Sequence, residues 1–223
     1  GSGRWSKVIS EYDVSLIEAV DPSDAVFVAQ KMLSSIPNAR VTKASIDNLP
    51  FENDYFDFVM SIGVLHHIPD TEKALKQLVC KIKPGGYFYG YLYYNFENKG
   101  ALFKTVYFLS NLLRQITSRL PKVLKHLVCD LLAILVYMPF VILSRIVKAF
   151  FGGRYYQKIP LSYYVNKSFR IIRNDSLDRF GTRLEKRYSQ STIVKLCHAC
   201  GLRNVEFSKN EPFWHFIAQK PED

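Results

Sequence analysis

The first 97 residues alternate between short apolar runs and stretches with apolar side chains at helical spacing. Short apolar runs bounded by turn residues predict strands, and a helical period predicts amphipathic helices. The predicted strands are residues 14–20, 40–44, 56–62 and 87–94. The predicted helices are residues 23–34 and 71–82. We expect the second helix to stop at Pro84-Gly85-Gly86. This alternation is typical of a mainly parallel sheet with helices on both faces.

The C-terminal stretch returns to the same pattern. Residues 189–200 predict a helix, and Gly201 is well placed to end it. Residues 202–208 and 213–219 predict two strands separated only by a short turn. Strands joined this closely are most simply antiparallel, so we expect an antiparallel strand at the end of the chain.

Residues 98–153 break the alternation. Apolar residues recur there with 4-3-4-3 spacing, which predicts one stripe of a helix. The stripe consists of Leu102, Val106, Leu109, Leu113, Ile116, Leu120, Leu124 and Leu127. Pro121 is expected to split or kink this helix, and a second, more apolar helix is expected to bend or break near Pro139 and to end at Gly152. The longest uncharged apolar run, residues 131–143, is shorter than the roughly 20 residues that a membrane-spanning helix needs.

Basic charge is concentrated in the same segment. The chain carries a formal net charge of +10. Residues 98–160 hold ten Lys or Arg and a single acid, Asp130, so this segment carries +9 and the rest of the chain +1. The partner implied by charge therefore belongs to the segment. Anionic lipid head groups, nucleic acid and a phosphorylated substrate all fit.

Glycine and aspartate near the start of the chain have the chemistry of a nucleotide site. Gly1 and Gly3 precede a helix, where glycine lets a ligand approach the backbone and the helix N-terminus. A Gly-Ser-Gly expression remnant would give the same three residues. Asp21 follows the strand of residues 14–20, and a carboxylate at such a strand end can accept hydrogen bonds from both ribose hydroxyls. The alternative for Asp21 is an Asp-Pro turn that caps the next helix.

Six motifs occur in one order at sensible spacings. They are the glycine turn, Val20-Asp21-Pro22-Ser23, Ile46-Asp47-Asn48-Leu49-Pro50-Phe51, Phe56-Asp57-Phe58-Val59, Val64-Leu65-His66-His67-Ile68 and Lys83-Pro84-Gly85-Gly86-Tyr87. In this order the chain resembles the class I S-adenosylmethionine-dependent methyltransferases, in particular their small-molecule, methyltransferase type 11-like branch. The resemblance covers residues 1–95 and 185–220 and leaves the basic segment unexplained.

The resemblance implies an α/β fold, namely a Rossmann-like three-layer sandwich with a mixed seven-strand sheet, its last strand antiparallel, and an α-helical insertion. The family's first strand is not found in the chain, so we expect the natural protein to continue upstream of Gly1. The implied parts are residues 1–97, which bind the cofactor, residues 98–160, a lid or membrane-facing insertion, and residues 161–223, an acceptor-side segment with the last strands.

The resemblance also implies S-adenosylmethionine as the cofactor. Family members often have an acid where this chain has Ser45, so a hydrogen bond from that side chain to the adenine is not implied. The residues implied to bind the cofactor are Gly1 and Gly3 along the methionine part, Asp21 at the ribose, Ser45, Ile46 and Asp47 around the adenine, and Ser61, Ile62 and His66 beside the sulfonium.

His66 and His67 leave two interpretations open. His66 could deprotonate an acceptor hydroxyl as a catalytic base, because histidine titrates near neutral pH. Alternatively, one ring packs beneath the neighbouring helix and the other contacts the cofactor, which we favour because methyl transfer gains much of its rate from positioning. No Asn/Asp-Pro-Pro-aromatic motif follows residues 56–62, as it does in many methyltransferases of nucleobase or protein amide nitrogens. We therefore expect an oxygen or carbon acceptor.

Two further groups of residues carry weaker implications. Cys197, His198 and Cys200 offer only three ligands on one helix, and we predict no metal site there. Basic and aromatic side chains at residues 155–156, 163–164 and 179–183 could grip an anionic or ring-shaped acceptor. They could equally form a solvated loop with packed tyrosines.

Together these features predict methyl transfer to an oxygen or carbon of a small, hydrophobic or lipid-linked acceptor. The alternatives are a nucleic-acid methyltransferase that holds phosphates with the basic segment, a nicotinamide dehydrogenase and a catalytically inactive membrane scaffold. The expected partners are a small-molecule acceptor, an anionic membrane surface and, through the insertion, a second copy of the chain. Nucleic acid is the less favoured partner, and we expect a cytoplasmic protein peripheral at the membrane.

Overall fold

The structure, a computed structural model, describes residues 1–97, 100–157, 159–209 and 214–222. It divides into two compact units. The first unit is Gly1–Tyr93 with Tyr188–Asp223, and the second unit is Tyr94–Arg187. The second unit contains the predicted insertion, but it ends at Arg187 and not at residue 160. Residues 161–187, which the sequence analysis assigns to the acceptor side, therefore belong to the second unit.

The first unit contains the alternating elements that the sequence predicts. Its strands are β1 (Ile17–Val20), β2 (Ala39–Thr42), β3 (Phe56–Ile62), β4 (Ile82–Tyr91), β5 (Arg203–Phe207) and β6 (His215–Gln219). Its helices are α1 (Arg4–Ile9), α2 (Ala25–Leu33), α3 (Thr71–Cys80) and α9 (Gln190–Ala199), with 3-10 turns at Ile46–Asn48 and Leu65–His67. The predicted alternation is confirmed, and several element ends differ.

These strands form two sheets. β1 pairs in parallel with β2, and the second sheet has the order β3-β4-β6-β5. β3 and β4 are parallel, whereas β6 is antiparallel to both β4 and β5, which confirms the antiparallel last strand. The implied single sheet of seven strands is wrong for the described residues. They contain six strands, and none of these links the β1-β2 pair to β3 through backbone hydrogen bonds.

Helix α3 begins at a capped N-terminus, where Asp70 Oδ1 accepts a hydrogen bond from Lys73 N at 2.9 Å. The helix ends at Cys80 and not at residue 82, because β4 already begins at Ile82. Pro84-Gly85-Gly86 therefore lies inside strand β4. The prediction that these three residues stop a helix is wrong.

A bulge at the start of β4 explains why glycine occurs inside a strand. The pairing with β3 shifts between Phe56 and Phe58, so β4 carries extra residues at this point. A Cβ atom on Gly86 would lie 2.7 Å from Ile82 Cγ2 and 2.8 Å from the backbone oxygen of Asp57. Both distances are shorter than van der Waals contact, so only glycine fits here without a shift of the backbone.

Helices α3 and α9 share a buried cluster with the four-stranded sheet. Leu75 of α3 and Ile193 of α9 are fully buried in the same cluster as Phe88 of β4 and Phe216 of β6. Complete burial of such side chains stabilises the fold by about 1.5–3 kcal/mol each. Helix α9 ends before Gly201, whose φ of +86° allows the chain to turn away, as predicted.

The described elements of the second unit are all helical. They are α4 (Ala101–Thr117), α5 (Lys122–Leu132), a π-helical turn (Ala133–Tyr137), α6 (Met138–Phe151), α7 (Gly153–Tyr156), a 3-10 turn (Ser162–Tyr164) and α8 (Phe169–Gly181). Pro121 separates α4 from α5, which confirms the predicted split. Proline has no N–H to donate within a continuing helix, but it is tolerated at the start of a new one.

Helix α5, the π turn and α6 form one continuous helix, Lys122–Phe151. Pro139 is the second residue of α6 and lies two residues after Tyr137, the last residue of the π turn. Its ring would clash with the carbonyl four residues earlier, and a π turn is a common way for a helix to absorb such a residue. Of the predicted bend or break near Pro139, the break is absent, and a π turn precedes the proline instead.

By length and composition alone, Lys122–Phe151 is the one helix among the described residues that could cross a membrane. It has 30 residues, and most of its most apolar stretch is not buried by the rest of the protein. The expectation that the apolar run at 131–143 is too short does not hold for the helix as a whole. The helix continues through Pro139 and extends beyond both ends of the uncharged run, from Lys122 to Phe151.

Helix α4 turns its apolar stripe outward. Leu109, Leu113 and Ile116 of the predicted stripe are exposed, Ile116 at 65%. On the opposite side, Tyr107 is half-buried and Arg114 is buried. The polar side of α4 therefore packs within the second unit and its apolar side faces out. This is the reverse of the usual arrangement in a water-soluble bundle.

The long helix also exposes many apolar side chains, but its buried face is apolar as well. Its buried positions include the small residues Cys129 and Ala133 together with Tyr137, and Ser176 Oγ of α8 donates a hydrogen bond to the Cys129 oxygen at 2.7 Å. Small residues and hydroxyl hydrogen bonds at helix contacts are typical of helices in a lipid environment. The exposed apolar surface of the long helix consists of Val123, Leu124, Leu127, Leu131, Ile134, Leu135, Val136, Phe140, Ile142, Leu143, Ile146, Phe150 and Phe151.

Candidate functional site

The glycine turn and Asp21 lie together in the first unit. Gly3 precedes α1 and has a φ of +80°. A Cβ atom on Gly3 would lie 3.2 Å from both Cα and Cβ of Ala29 in α2, so glycine permits both the left-handed backbone and the close helix contact. The Gly1 nitrogen donates a hydrogen bond to Asp21 Oδ2. Three residues implied to bind the cofactor are thus in one place, at the carboxyl end of β1.

The Asp21 carboxylate is arranged to stay ionised. Ser23 N donates to Asp21 Oδ1 at 2.8 Å, so the Asp-Pro turn weighed from the sequence is present. Partial burial would raise the pKa of Asp21, but hydrogen bonds to the carboxylate, among them those from the backbone and side chain of Ser23, outweigh this and hold the pKa below its ordinary value. The side chain is 19% exposed. An ionised, partly exposed carboxylate at a strand end is the group that ribose recognition needs.

The loop implied to surround the adenine is the 3-10 turn Ile46–Asn48. Ser45 caps it, because its Oγ accepts a hydrogen bond from Asp47 N at 3.4 Å. Ile46 packs against the buried cluster of the first unit, and Asp47 Oδ1 lies 3.7 Å from Lys73 Nζ. The loop is therefore fixed by its own cap and by core contacts. Its contact with adenine stays a prediction.

His66 lies close to the end of β3, where the sulfonium contacts are predicted. Ser61 is buried in β3, Ile62 ends the strand, and Gly63 turns the chain with a φ of +74°. His66 has no exposed surface, and its ring stacks on Tyr93 with centroids 3.8 Å apart and planes 25° apart. A buried, stacked ring favours the packing role, because a base must come within hydrogen-bond reach of the acceptor. Both roles stay predictions.

A second histidine at the same edge of the sheet was missed by the sequence analysis. His215 begins β6 opposite Tyr91 at the end of β4, and their rings stack with centroids 4.3 Å apart and planes 16° apart. Burial lowers the pKa of His215, which keeps the ring neutral at pH 7. The prediction of an antiparallel last strand could have revealed this histidine. An antiparallel strand begins at the carboxyl end of its neighbour β4, and there a neutral imidazole can accept a proton.

Both cysteines that were considered as metal ligands are core residues. Cys197 and Cys200 lie in the buried cluster of the first unit. Burial raises the pKa of Cys197 to about 12 and that of Cys200 to about 11, so both thiols stay protonated at neutral pH. His198 is exposed. Across the described part of the chain, no group of three or more His, Cys, Asp or Glu side chains could hold a metal ion.

The basic and aromatic residues weighed as an acceptor grip belong to the second unit. Tyr164 and Phe180 are buried there in one cluster with Tyr137. Tyr163 is exposed, and Arg179 lines a small cavity in the same unit. The packed-tyrosine interpretation is thus correct for Tyr164. A direct role in holding an acceptor stays a prediction.

Comparison with known proteins supports the family resemblance. Residues 1–90 match the family model described as "Methyltransferase domain". Phosphoethanolamine N-methyltransferase 2 of Caenorhabditis elegans is 32% identical over 119 residues, which cover 49% of this chain and 27% of that protein. A ubiquinone/menaquinone biosynthesis C-methyltransferase of Vibrio vulnificus is 26% identical over 87 residues, 38% of this chain and 34% of that protein. The chain spans about a quarter to a third of the length of these curated relatives.

A solved structure extends the similarity to the fold of the whole chain. A SAM-dependent methyltransferase from Methanosarcina mazei matches 100% of this chain and 90% of its own, with a TM-score of 0.54 and 15% sequence identity. At this identity the likeness shows the Rossmann-like fold alone. The ordered motifs and the family match both indicate a methyltransferase and not a nicotinamide dehydrogenase, whereas the fold is compatible with either. Residues 1–90 therefore match the methyltransferase domain of class I S-adenosylmethionine-dependent methyltransferases of the methyltransferase 11 type, a family whose cofactor is S-adenosylmethionine.

Proposed function

We propose that the protein transfers the methyl group of S-adenosylmethionine to an oxygen or carbon of a hydrophobic or lipid-linked acceptor at a membrane surface. The single observation that carries this proposal is the exposed apolar surface of α4, α5 and α6 in the second unit. Soluble monomers rarely expose contiguous apolar patches larger than a few hundred Å², and larger patches mark interaction sites. A helical unit that exposes apolar side chains along both α4 and the long helix fits contact with lipid better than contact with water.

The charge of the same segment favours an anionic membrane. Lys122 begins the long helix and is exposed, and Arg119 precedes it. Arg145 near its other end is also exposed. Basic residues beside apolar helices are typical of interfacial anchoring, and each contributes on the order of 1 kcal/mol near an anionic surface. We therefore propose a peripheral position at the cytoplasmic face of a membrane, where an apolar acceptor would be available.

The first unit supplies the groups that the cofactor needs. Bound S-adenosylmethionine would supply an electrophilic methyl group. The Asp21 carboxylate would hold its ribose, and the turn at Gly1 and Gly3 would let the methionine part approach the backbone. Direct transfer needs an in-line approach in a site that excludes water. Buried Ser61 and His66 would shape such a wall next to the reacting methyl group.

The names of the relatives bear on the acceptor. One is named for C-methylation in ubiquinone/menaquinone biosynthesis, and this fits an apolar acceptor. Another is named for N-methylation of phosphoethanolamine, so a nitrogen acceptor is the competing case. The missing Asn/Asp-Pro-Pro-aromatic motif weighs against nucleobase and amide nitrogens only. An apolar quinol and an amine head group must therefore be compared directly.

The test follows a labelled methyl group from S-adenosylmethionine into three substrate pools. The pools are vesicles that contain a long-chain quinol, vesicles that contain an amine-headed phospholipid, and transfer RNA. We expect label to enter the organic phase from the quinol vesicles, and Asp21→Ala to reduce that signal. Label found only in acid-precipitable RNA would overturn the proposal in favour of a nucleic-acid methyltransferase, which the +9 segment would suit. Label only in the amine lipid would refute the oxygen or carbon acceptor.

A further inference from the structure

The second unit contains a small cavity lined mainly by charged and polar side chains. The cavity is shallow and partly open to solvent. Three arginines and one glutamate contribute to its wall, so the cavity carries a net charge of +2. The residues used below are Tyr107, Asn111, Arg114, Arg179, Glu185 and Arg187. All of them lie within the second unit.

Arg114 is held rigidly in this wall. Its Nε and Nη2 both donate to Asn111 Oδ1, at 3.0 and 2.7 Å, and Nη1 donates to the backbone oxygens of Thr182 and Arg183, at 3.0 and 3.1 Å. Only 9% of the residue is exposed. These acceptors are all uncharged, so they leave the positive charge of Arg114 without a counter-ion among them. A guanidinium has five N–H groups, and these contacts use four.

Arg187 and Glu185 neutralise each other. Arg187 Nη2 lies 2.6 Å from Glu185 Oε1, and Arg187 Nε donates to the Tyr107 hydroxyl at 2.7 Å. The guanidinium also lies 4.3 Å from the ring centroid of Phe96 and 4.5 Å from that of Tyr107. Glu185, the one carboxylate among the residues that line the cavity, is therefore paired with Arg187. The net positive charge belongs to Arg114 and Arg179.

Arg179 is the arginine that faces the cavity without an ion pair within the described parts of the chain. The carboxylates of Asp175 and Glu185 act on it only through space. Glu185 is paired with Arg187, and Asp175 Oδ2 accepts a hydrogen bond from the Tyr137 hydroxyl at 3.0 Å. Arg179 is exposed to solvent. Its fork of N–H groups is thus open to an external anion beside the fixed charge of Arg114.

We propose that this cavity binds the phosphate group of a phosphorylated ligand, with Arg179 as the main contact and Arg114 as a fixed second charge. Guanidinium groups bind phosphate oxygens in a bidentate manner, and two guanidinium groups without a direct ion pair suit a phosphate dianion. The apolar side of α4 faces out on the same helix whose polar side lines the cavity. A phospholipid would place its phosphate in the cavity, and its acyl chains would contact the exposed apolar surface of the second unit. This lipid source rests on the proposed function, whereas phosphate binding itself does not.

The test measures phosphate binding by the full chain in a low-salt buffer. Calorimetric titrations use inorganic phosphate and glycerol 3-phosphate as soluble probes. We expect saturable binding that Arg179→Met weakens at least tenfold and Arg179→Lys weakens less, because lysine keeps the charge and loses the fork. Arg170→Met is the matched control, since Arg170 is an exposed arginine of the same helix α8 and does not line the cavity. It should change affinity less than twofold.

No saturable binding, or equal loss in the Arg179 and Arg170 variants, would overturn the cavity proposal. Arg179→Lys keeps the test valid if Arg179→Met fails to fold. Vesicles that contain phosphatidic acid are compared with vesicles that contain phosphatidylglycerol, to distinguish a lipid phosphate from a soluble phosphate as the ligand. Competition with the soluble probe by phosphatidic acid alone supports a lipid phosphate, whereas competition by neither supports a soluble one. Methyl transfer to lipid without phosphate binding would refute this proposal alone. Phosphate binding without methyl transfer would refute the proposed function alone.

Discussion

The Tyr89 hydroxyl lies 2.9 Å from Nδ1 of His215, so a hydrogen bond joins β4 to β6 beside the stacked pair of Tyr91 and His215. Burial lowers the pKa of His215 below its ordinary value near 6.5. The folded protein therefore binds this proton less readily than the unfolded chain. The resulting contribution to stability is complete above pH of about 6.5 and is lost as the pH falls toward the folded pKa.

We expect His215→Phe to flatten the pH dependence of stability. The variant keeps an aromatic ring against Tyr91 but has no group to protonate. Thermal melting at pH 7.5 and pH 5.5 should show a smaller loss for His215→Phe than for the wild type. His198→Gln is the control, because His198 is exposed on α9 and should leave the difference unchanged. An equal loss in wild type and His215→Phe would contradict the lowered pKa.

Asp21→Ala should weaken binding of S-adenosylmethionine by about 1.5–3 kcal/mol, the scale of charge-assisted hydrogen bonds. The reason is the loss of an ionised acceptor beside the glycine turn. Isothermal titration calorimetry measures the effect. Asp24→Ala is the matched control, since the Asp24 carboxylate is exposed and paired with Lys43 at 2.8 Å. Unchanged affinity in a folded Asp21→Ala protein would remove Asp21 from the site.

His66→Phe distinguishes the two roles of His66. Phenylalanine preserves a ring that can stack on Tyr93, but it cannot take a proton. If the ring has a packing role, as we favour, turnover should fall less than about tenfold. A general base would make the loss roughly 10²–10⁴-fold with cofactor affinity little changed. Turnover and cofactor affinity are measured on the same preparation, and the larger loss would decide for the base.

Gly86→Ala should destabilise the first unit by about 1–3 kcal/mol, the usual cost of forcing a methyl group into a packed site. The added Cβ atom would lie 2.7 Å from Ile82 and 2.8 Å from the Asp57 oxygen. Gly100→Ala is the control, because nothing lies within 4 Å of a Cβ there and its φ of −69° suits alanine. Urea unfolding measures both variants. Equal stability would show that the bulge at the start of β4 adapts to a side chain.

Local patterns predicted the elements of the first unit well. β3 matches residues 56–62 because one apolar run is bounded by polar turns on both sides. The end of α3 was missed because Ile82 continues the helical spacing of apolar residues and also fits the first position of a strand. Only the pairing of Ile82 with Phe56 decides between the two, and this contact is distant in sequence.

The candidate site was predictable where motifs are local. The glycine turn and Asp21 were found because each lies at the end of an element that the pattern already gives. The contact of His215 with Tyr91 was missed because it depends on the register between β4 and β6. The direction of the α4 stripe was left open, because the insertion was expected to be either a lid or membrane-facing. A hydrophobic period predicts which residues share a helix face, but it does not tell whether that face meets protein, lipid or water.

The exposed apolar surface of the second unit leads to the last prediction. We expect the protein to float with vesicles that contain anionic lipid at low salt, and to float less with neutral vesicles or at high salt, because basic residues and apolar side chains act together. Leu135→Asp should reduce flotation at least tenfold. Leu135 is 69% exposed on the long helix, so its substitution removes lipid contact and should cost little folding stability.

Val28→Asp is the matched control, since Val28 is 53% exposed on α2 of the first unit. An aspartate there adds the same charge to the protein but lies outside the proposed membrane surface, so flotation should stay close to that of the wild type. Equal losses in the two variants would mean that net charge alone governs binding. If the wild type stays at the bottom of the gradient with anionic vesicles at low salt, the membrane proposal fails. A concentration-dependent dimer in light scattering would then identify a second copy of the chain as the partner that covers this surface.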